Sequence, residues 1–118
     1  MKNIENKIYS RPWGTYQTLK LTDTCQVKWI VVHPNQKLSL QRHFKRKEHW
    51  IVIEGTPIVT INDSKKEYKK NDYLHIPIEA IHRIENLTNK NVILVEVQMG
   101  SYLGEDDIER LEDIYKRK

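Results

Sequence analysis

The sequence predicts an all-β protein in which about nine short antiparallel strands form a closed or sandwiched barrel. Short runs rich in Val, Ile, Thr, Tyr and Trp carry the strand signal, because β-branched and aromatic side chains fit a pleated, half-buried surface. Turn residues recur about every eight to twelve positions, a spacing that favours an antiparallel barrel over a parallel α/β sheet. A composition of 38% hydrophobic and 31% charged residues suits a small barrel with a wet surface.

The chain begins with a polar segment and continues with two strands. Residues 1–10 predict a loose N-terminal arm, so that a single domain spans residues 11–118. A Pro and a Gly then punctuate a turn that presents Arg11. The next strands are predicted at Tyr16–Leu21 and Gln26–Val32.

The middle of the chain predicts two hairpins and three further strands. Leu38–His43 and Glu48–Ile53 flank a charged run, Lys45–Lys47, that suits a tight solvated connection. Asn62–Ser64 has the composition of a second hairpin turn. The remaining strands are predicted at Ile58–Ile61, Lys66–Tyr68, Tyr73–Ile76, Ile81–Ile84 and Val92–Met99.

The C-terminal segment predicts a short helix docked on the barrel. Ile108, Leu111 and Tyr115 recur at helical spacing. Acidic residues precede them, and the basic run Lys116–Lys118 follows, so both ends complement a helix dipole.

Composition narrows the class of protein. The net charge of +4 comes from 20 basic and 16 acidic residues, and only one aromatic residue, Tyr68, stands among the lysines at 65–70. This pattern indicates a solvated face rather than a nucleic-acid interface. The single Cys25 excludes an internal disulfide and fits a reducing compartment. With no apolar run of membrane length and no signal-peptide core, we expect a soluble cytoplasmic protein without membrane partners.

The stretch Gln41–Gly55 carries three candidate metal ligands. Gln41 and His43 are two residues apart, so on a strand their side chains leave by the same face. A hairpin would place the Glu48 carboxylate opposite them. One imidazole, one carboxylate and one amide oxygen form most of a site for a borderline metal.

Paired motifs in this sequence resemble those of the cupin superfamily. The resemblance implies a double-stranded β-helix, or jelly-roll barrel, with His82 as the fourth ligand beside Gln41, His43 and Glu48. Four positions depart from the cupin pattern: Asn replaces two glycines and Glu replaces a third, while Gln41 replaces a histidine. Asn substitutes well for Gly at a left-handed turn, whereas Glu has no such physical justification. The first motif runs through Asn35, Gln41, His43, Glu48 and Gly55, and the second through Asn71, Pro77, Glu79, His82 and Asn86.

Longer segments narrow the resemblance to one family. Over residues 9–115 the chain looks like the C-terminal cupin domain of type II phosphomannose isomerases. Relatives of that kind often carry a mannose-1-phosphate guanylyltransferase domain ahead of the cupin, and that half is absent from these 118 residues. The resemblance implies zinc, although the ligand set alone admits manganese, cobalt or iron equally. The matching segments are Arg11–Tyr16, Leu38–His43, Glu48–Trp50, His82–Asn86 and Glu96–Ile108.

Candidate substrate-binding and catalytic residues surround the metal motif. The basic cluster at 42–47, with Arg11 and Arg83 nearby, has the chemistry to hold a sugar phosphate, although a soluble hairpin tip would have the same composition. Glu96 and Gln98 share one face of an apolar strand, which is either solvated or lines the barrel lumen. Lys45 and Glu96 are the candidate catalytic bases. The candidate substrate-binding residues are Arg11, Arg42, Arg46, Arg83 and Gln98.

The resulting functional hypothesis is a metal-dependent isomerase that interconverts mannose 6-phosphate and fructose 6-phosphate and feeds GDP-mannose synthesis. Its family usually carries His where this chain has Phe44 and Lys45. Two alternatives stay open: a degenerate cupin that binds a sugar phosphate or nucleotide sugar without turning it over, and a cupin epimerase, which needs no metal.

Strand alternation also predicts a homodimer. After Glu48, alternate residues through Trp50 should face the lumen, which leaves Ile51 and Ile53 pointing outward. An outward apolar stripe needs a cover, which a second copy or the chain's own N-terminal strand would supply.

Overall fold

The computed structural model describes residues 2–116, and within that range the chain forms eleven β-strands. They are β1 (Ile8–Arg11), β2 (Gly14–Leu21), β3 (Cys25–Val32), β4 (Leu40–Arg42), β5 (Arg46–Glu54), β6 (Ile58–Ile61), β7 (Ser64–Glu67), β8 (Tyr73–Ile76), β9 (His82–Glu85), β10 (Val92–Gly100) and β11 (Glu109–Glu112). No α-helix occurs among these described residues, so none is present there that could cross a membrane.

The strands form two antiparallel sheets with the core between them. One sheet has the order β1-β2-β3-β10-β5-β8, and the other has the order β11-β4-β9-β6-β7. The predicted all-β barrel is therefore confirmed. Buried apolar side chains from both sheets make the core, which consists of Trp13, Tyr16, Ile30, Val32, Trp50, Val52, Val59, Leu74, Ile76, Ala80, Ile84, Val92 and Leu94.

The inward face of the six-stranded sheet changes from apolar to polar along its central strands. The register places Leu94 of β10 opposite Val52 of β5, and Gln98 of β10 opposite Glu48 of β5. Apolar residues therefore pair with apolar residues across the two strands, and polar residues pair with polar ones. One end of the barrel packs as a core, and the other end leaves a polar pocket. Strands β3, β5 and β10 supply the buried polar residues at that end, which are Gln26, Lys28, Arg46, Glu48, Glu96 and Gln98.

The predicted hairpin between Leu38–His43 and Glu48–Ile53 is wrong. β4 pairs with β9 and β11 in one sheet, whereas β5 pairs with β10 and β8 in the other. The chain crosses between the sheets at residues 43–45. There the Asp107 carboxylate accepts the backbone N–H groups of Phe44 at 3.0 Å and Lys45 at 2.9 Å. A side chain thus satisfies donors that a hairpin would have paired.

The predicted C-terminal helix is also wrong, because the segment forms β11 and pairs with β4. Cross-strand ion pairing favours the strand: Arg42 Nε lies 2.6 Å from Glu109 Oε1, and Arg83 Nη1 lies 2.6 Å from Glu112 Oε1. Leu111, expected on the apolar helix face, is 47% exposed. The basic end of the predicted helix, residues 117–118, lies outside the described residues.

The N-terminal segment is not a loose arm. Its last residues form β1, which pairs with β2. Asn3 is buried, donates to Gln26 Oε1 and Glu105 Oε2 at 3.0 Å each, and accepts from the Tyr16 hydroxyl at 2.9 Å. The segment therefore completes the polar end of the barrel.

Three residues at the cupin glycine positions adopt left-handed backbone conformations. The φ angles are 59° at Asn35, 78° at Asn71 and 66° at Glu79. The expectation for the two asparagines is confirmed, since Asn tolerates this region better than other residues with a side chain. Glu79 adopts the same conformation without that tolerance.

Candidate metal centre

Three candidate ligands meet at the polar end of the barrel, although they come from both sheets. His43 follows β4, Glu48 lies on β5 and His82 begins β9; all three are buried, and one donor atom from each lies within 4.8 Å of the others. His43 Nε2 is 3.4 Å from Glu48 Oε2. Two donors bound about 2.1 Å from one tetrahedral ion would stand about 3.4 Å apart, so the separation fits a shared metal.

Both histidines are oriented by their second ring nitrogen. His43 Nδ1 lies 2.7 Å from the Asp107 carbonyl oxygen, and His82 Nδ1 lies 2.9 Å from the Ala80 carbonyl oxygen. A carbonyl can only accept, so each Nδ1 carries the proton and each Nε2 presents a lone pair. Burial lowers the pKa of both imidazoles, that of His43 to about 4, which keeps them neutral and able to bind a metal at neutral pH.

Glu48 is held as a carboxylate. Burial alone would raise its pKa, but the Arg46 guanidinium, assisted by the hydrogen bond from Trp50, outweighs burial and holds the pKa well below its usual range. Arg46 Nε donates to Glu48 Oε2 at 2.9 Å, and the indole Nε1 of Trp50 donates to Oε1 at 2.8 Å. The donor set of two neutral imidazoles and one carboxylate fits zinc and its first-row neighbours.

Gln41 lies directly beside this triad. It pairs in register with His82 across β4 and β9 and also lines the pocket. Its amide nitrogen donates to Ser39 Oγ at 3.1 Å, so the amide oxygen is the atom that it can offer to a metal.

Glu96 places a second carboxyl group in the pocket. It is 5% exposed, and Gln98 Nε2 donates to its Oε1 at 3.2 Å. Burial, reinforced by the Glu48 charge, raises the pKa of Glu96 to about 8 against the opposing effect of nearby cations. The face that carries Glu96 and Gln98 therefore lines the lumen, and Glu96 is a protonated acid at neutral pH.

The predicted basic cluster at 42–47 is divided by the fold. Arg46 points into the pocket and is 5% exposed. Arg42 instead pairs with Glu109, the Lys45 ammonium lies 5.4 Å from the Tyr102 ring centroid, and neither belongs to the pocket lining. The structure thus brings Glu96 to the site as a candidate base but not Lys45.

Arg11 and Arg83 line the pocket in different ways. Arg83 is held by Glu112 and by the Leu38 carbonyl oxygen, which accepts from its Nε at 3.0 Å. Arg11 is more exposed, and its guanidinium lies 5.2 Å from the Tyr16 ring centroid. Arg11 is therefore the freer of the two to contact a ligand.

Sequence reasoning missed Lys28, a buried cation in the same pocket. Its Nζ lies 2.7 Å from Glu105 Oε2 and 4.4 Å from the Tyr16 ring centroid. The signal was available: Gln26 and Lys28 interrupt one face of an otherwise apolar strand, in the same way as Glu96 and Gln98.

Comparison with known proteins decides the family. A family model described as mannose-6-phosphate isomerase C-terminal matches residues 1–113. The chain belongs to this family.

Two solved structures that are under 25% identical to this chain share its fold. The Schizosaccharomyces pombe Cnp3 cupin domain has a TM-score of 0.69 at 15% identity, covering 73% of this chain and 64% of that one. A Klebsiella pneumoniae protein with a double-stranded β-helix domain has a TM-score of 0.73 at 17% identity, covering 95% and 90%.

Curated relatives of this mannose-6-phosphate isomerase C-terminal domain include an alginate biosynthesis protein and a mannose-1-phosphate guanylyltransferase. The Pseudomonas aeruginosa alginate biosynthesis protein AlgA is 50% identical over 91% of this chain and 22% of its own length. The Salmonella typhimurium mannose-1-phosphate guanylyltransferase ManC is 44% identical over 98% of this chain and 24% of its own length. The chain therefore spans less than a quarter of these relatives, and it is a cupin domain of the phosphomannose isomerase family.

Proposed function

We propose that this domain is a metal-dependent isomerase that interconverts mannose 6-phosphate and fructose 6-phosphate and so supplies GDP-mannose synthesis. One observation carries the proposal: two neutral imidazoles and a carboxylate converge at a pocket that also holds a buried carboxylic acid. The reaction needs both a site for an oxyanion and a group that exchanges protons near neutral pH.

The reaction moves one proton from C2 to C1 of the open-chain sugar through an enediol, while a hydroxyl proton moves between the two oxygens. A metal ion held by His43, Glu48, His82 and the Gln41 amide oxygen would supply Lewis-acid stabilisation of the developing oxyanion. Zinc is the ion that we propose, because two imidazoles with one carboxylate form a common zinc ligand set.

Glu96 is the group that we propose for proton transfer. A pKa of about 8 lies close to the working pH, which allows one carboxyl group both to give and to accept a proton. Lys28 and Arg46 in the same pocket stabilise its ionised form. Of the two candidate bases, Lys45 lies outside the pocket lining, which leaves Glu96.

The phosphate group of the substrate is assigned to cations at the pocket rim. Arg11 lines the pocket and is exposed, and an arginine fork binds phosphate oxygens in pairs. Arg42 is directed to Glu109 and lies outside the pocket lining, so it has no role in this proposal.

Phe44 and Lys45, where the family usually has His, do not support a degenerate, non-catalytic cupin, because neither residue lines the pocket. An epimerase would not need a metal, and the arrangement of His43, Glu48 and His82 favours the isomerase over it.

A coupled assay tests the proposal. Protein loaded with zinc is mixed with mannose 6-phosphate, and the fructose 6-phosphate formed is measured. The wild type is expected to turn over substrate, and His82→Ala is expected to do so at least about a hundredfold more slowly. Elemental analysis should show that His82→Ala has also lost the metal. His75→Ala, at an exposed histidine on β8, is the matched control and should retain both. A zinc-loaded wild type that binds mannose 6-phosphate without converting it would establish the non-catalytic alternative.

We also propose that the domain forms a homodimer through the outer face of the six-stranded sheet. Ile51 of β5 is 45% exposed, and it pairs in register with Tyr73 of β8, which is 58% exposed. Val95 and Trp29 extend this apolar row across β10 and β3. The N-terminal strand does not cover the row, because β1 lies at the edge of the sheet beside β2. A second copy is therefore the proposed cover.

A further inference from the structure

Arg46 occupies an unusual position between the candidate ligands. It is the first residue of β5, it is 5% exposed, and its side chain lines the pocket. Its Nε lies 2.9 Å from Glu48 Oε2, and its Nη2 lies 3.3 Å from His43 Nε2. Its remaining nitrogen, Nη1, is buried and has no hydrogen-bond partner among the described residues.

The two atoms that Arg46 contacts are the two atoms that a metal would use. His43 Nδ1 carries the proton, so Nε2 has a single lone pair, which cannot accept from Arg46 and bind a metal at the same time. On Glu48, Oε1 already accepts from Trp50, and Oε2 faces both Arg46 and His43. The guanidinium and a metal ion therefore compete for the one lone pair of His43 Nε2, and they crowd each other at Glu48 Oε2.

The charges in the pocket show what a displaced guanidinium would need. Arg46 is paired with Glu48, and Lys28 is paired with Glu105, so the two deep cations are balanced. A divalent ion adds two positive charges and takes Glu48 from Arg46. Glu105 is already bound by Lys28 and Asn3. The ion, Arg46 and Lys28 would together carry four positive charges, whereas the three carboxyl groups of the pocket lining supply at most three negative charges even with Glu96 ionised, so the pocket favours an added anion.

We propose that Arg46 competes with the metal for His43 and Glu48, and that metal binding releases its guanidinium to bind an anion in the pocket, so that metal and anion bind cooperatively. The inference rests on the proposed metal site. Arg46 lines the pocket and its Nη1 is unpaired, so an anionic oxygen would satisfy this donor together with the donors that Arg46 gives up. Arg46 is thus a positioning residue that links a loaded metal site to an anionic substrate.

Titration calorimetry with zinc tests the competition. Arg46→Met removes the charge and the donors while keeping an unbranched side chain, and zinc affinity is expected to rise by at least about tenfold, since a charge-assisted hydrogen bond no longer has to be broken. Arg42→Met is the matched control, because Arg42 carries the same charge but pairs with Glu109 outside the pocket. The control should keep the wild-type zinc affinity.

Sulfate, a doubly charged tetrahedral anion, tests the release. Replacing chloride with sulfate at equal ionic strength should raise the zinc affinity of the wild type and of Arg42→Met by at least about fivefold, a typical coupling between two sites. Arg46→Met should show no such response. A zinc affinity in Arg46→Met equal to that of the wild type, or a retained sulfate response, would overturn the inference while leaving the metal site intact.

Two further results distinguish a failure of the proposed function from a failure of this inference. A wild type that binds no zinc would overturn the proposed function and this inference together. If Arg46→Met does not fold, the NMR signal of the Arg46 side-chain Nε–H in the wild type is measured instead. That signal is identified by its loss in Arg46→Lys. Zinc should shift that signal and speed its hydrogen exchange, and an unchanged signal at zinc saturation would refute the competition.

Discussion

Replacing Glu96 with Gln removes a buried carboxylic acid while preserving its shape and its contact with Gln98. Burial is the main reason that the pKa of Glu96 rises from an ordinary value of 4.5 to about 8, and the Glu48 charge adds to it. A carboxyl group with a higher pKa in the folded protein binds its proton more tightly there than in the unfolded chain. Raising the pH between those two values therefore destabilises the fold.

The size of the effect follows from the same values. Each pH unit between 4.5 and about 8 costs the fold about 1.4 kcal/mol through this one group. Counting partial ionisation at both ends, the wild type should lose on the order of 3 kcal/mol from Glu96 between pH 5 and pH 8. Glu96→Gln has no proton to lose and should escape this loss.

Urea unfolding at pH 5, 6.5 and 8, with a chelator present to exclude metal, measures the difference. Subtracting the curve of Glu96→Gln from that of the wild type cancels the contribution of the buried histidines, which is common to both. Glu54→Gln, an exposed carboxyl at the end of β5, controls for the loss of one charge and should follow the wild type to within about 0.5 kcal/mol. Parallel pH dependences of the wild type and Glu96→Gln would refute the assignment of a buried, protonated acid.

Two other substitutions test the backbone and the assembly. Glu79→Gly should raise the free energy of unfolding by about 0.5–1 kcal/mol, because a left-handed conformation at φ 66° strains a residue with a side chain more than the added freedom of Gly costs. Chemical denaturation measures it, and a destabilised variant would contradict the reasoning. Ile51→Lys should halve the mass seen by light scattering if the apolar row is the dimer interface, whereas Leu87→Lys, at a 61% exposed residue in a loop, should not. A monomeric wild type would remove the dimer proposal.

The candidate ligands illustrate how a sequence can identify a site for an incorrect geometric reason. The spacing of Gln41, His43 and Glu48 indicated that they meet, and the cupin resemblance added His82. The sequence predicted that a hairpin would bring these residues together, but β4 and β5 lie in different sheets. The residues meet because the inward-facing side chains of the two opposed sheets share one lumen. Local spacing carries no information about which sheet a strand joins.

The basic residues at 42–47 show the same limit for charge. Their sequence neighbourhood suggested one exposed cluster, yet Arg46 is buried against Glu48 while Arg42 pairs with Glu109 across to β11. Arg42 ends β4 and Arg46 begins β5, and these strands belong to different sheets, so closeness in the chain does not keep the two side chains together.

The sequence by itself determined the strand-rich barrel, the inward and outward faces of β5, and the left-handed turns at Asn35 and Asn71, because each depends on residues close together in the chain. Tertiary structure alone decided that the C-terminal segment is a strand. The local preference of this segment for a helix is weaker than the hydrogen bonds that β4 offers and the ion pair that Arg83 offers. It also decided the ionisation of the pocket. Glu48 and Glu96 are the same residue type, and burial acts to raise the pKa of both. The Arg46 guanidinium outweighs burial at Glu48 alone, so the two pKa values shift in opposite directions.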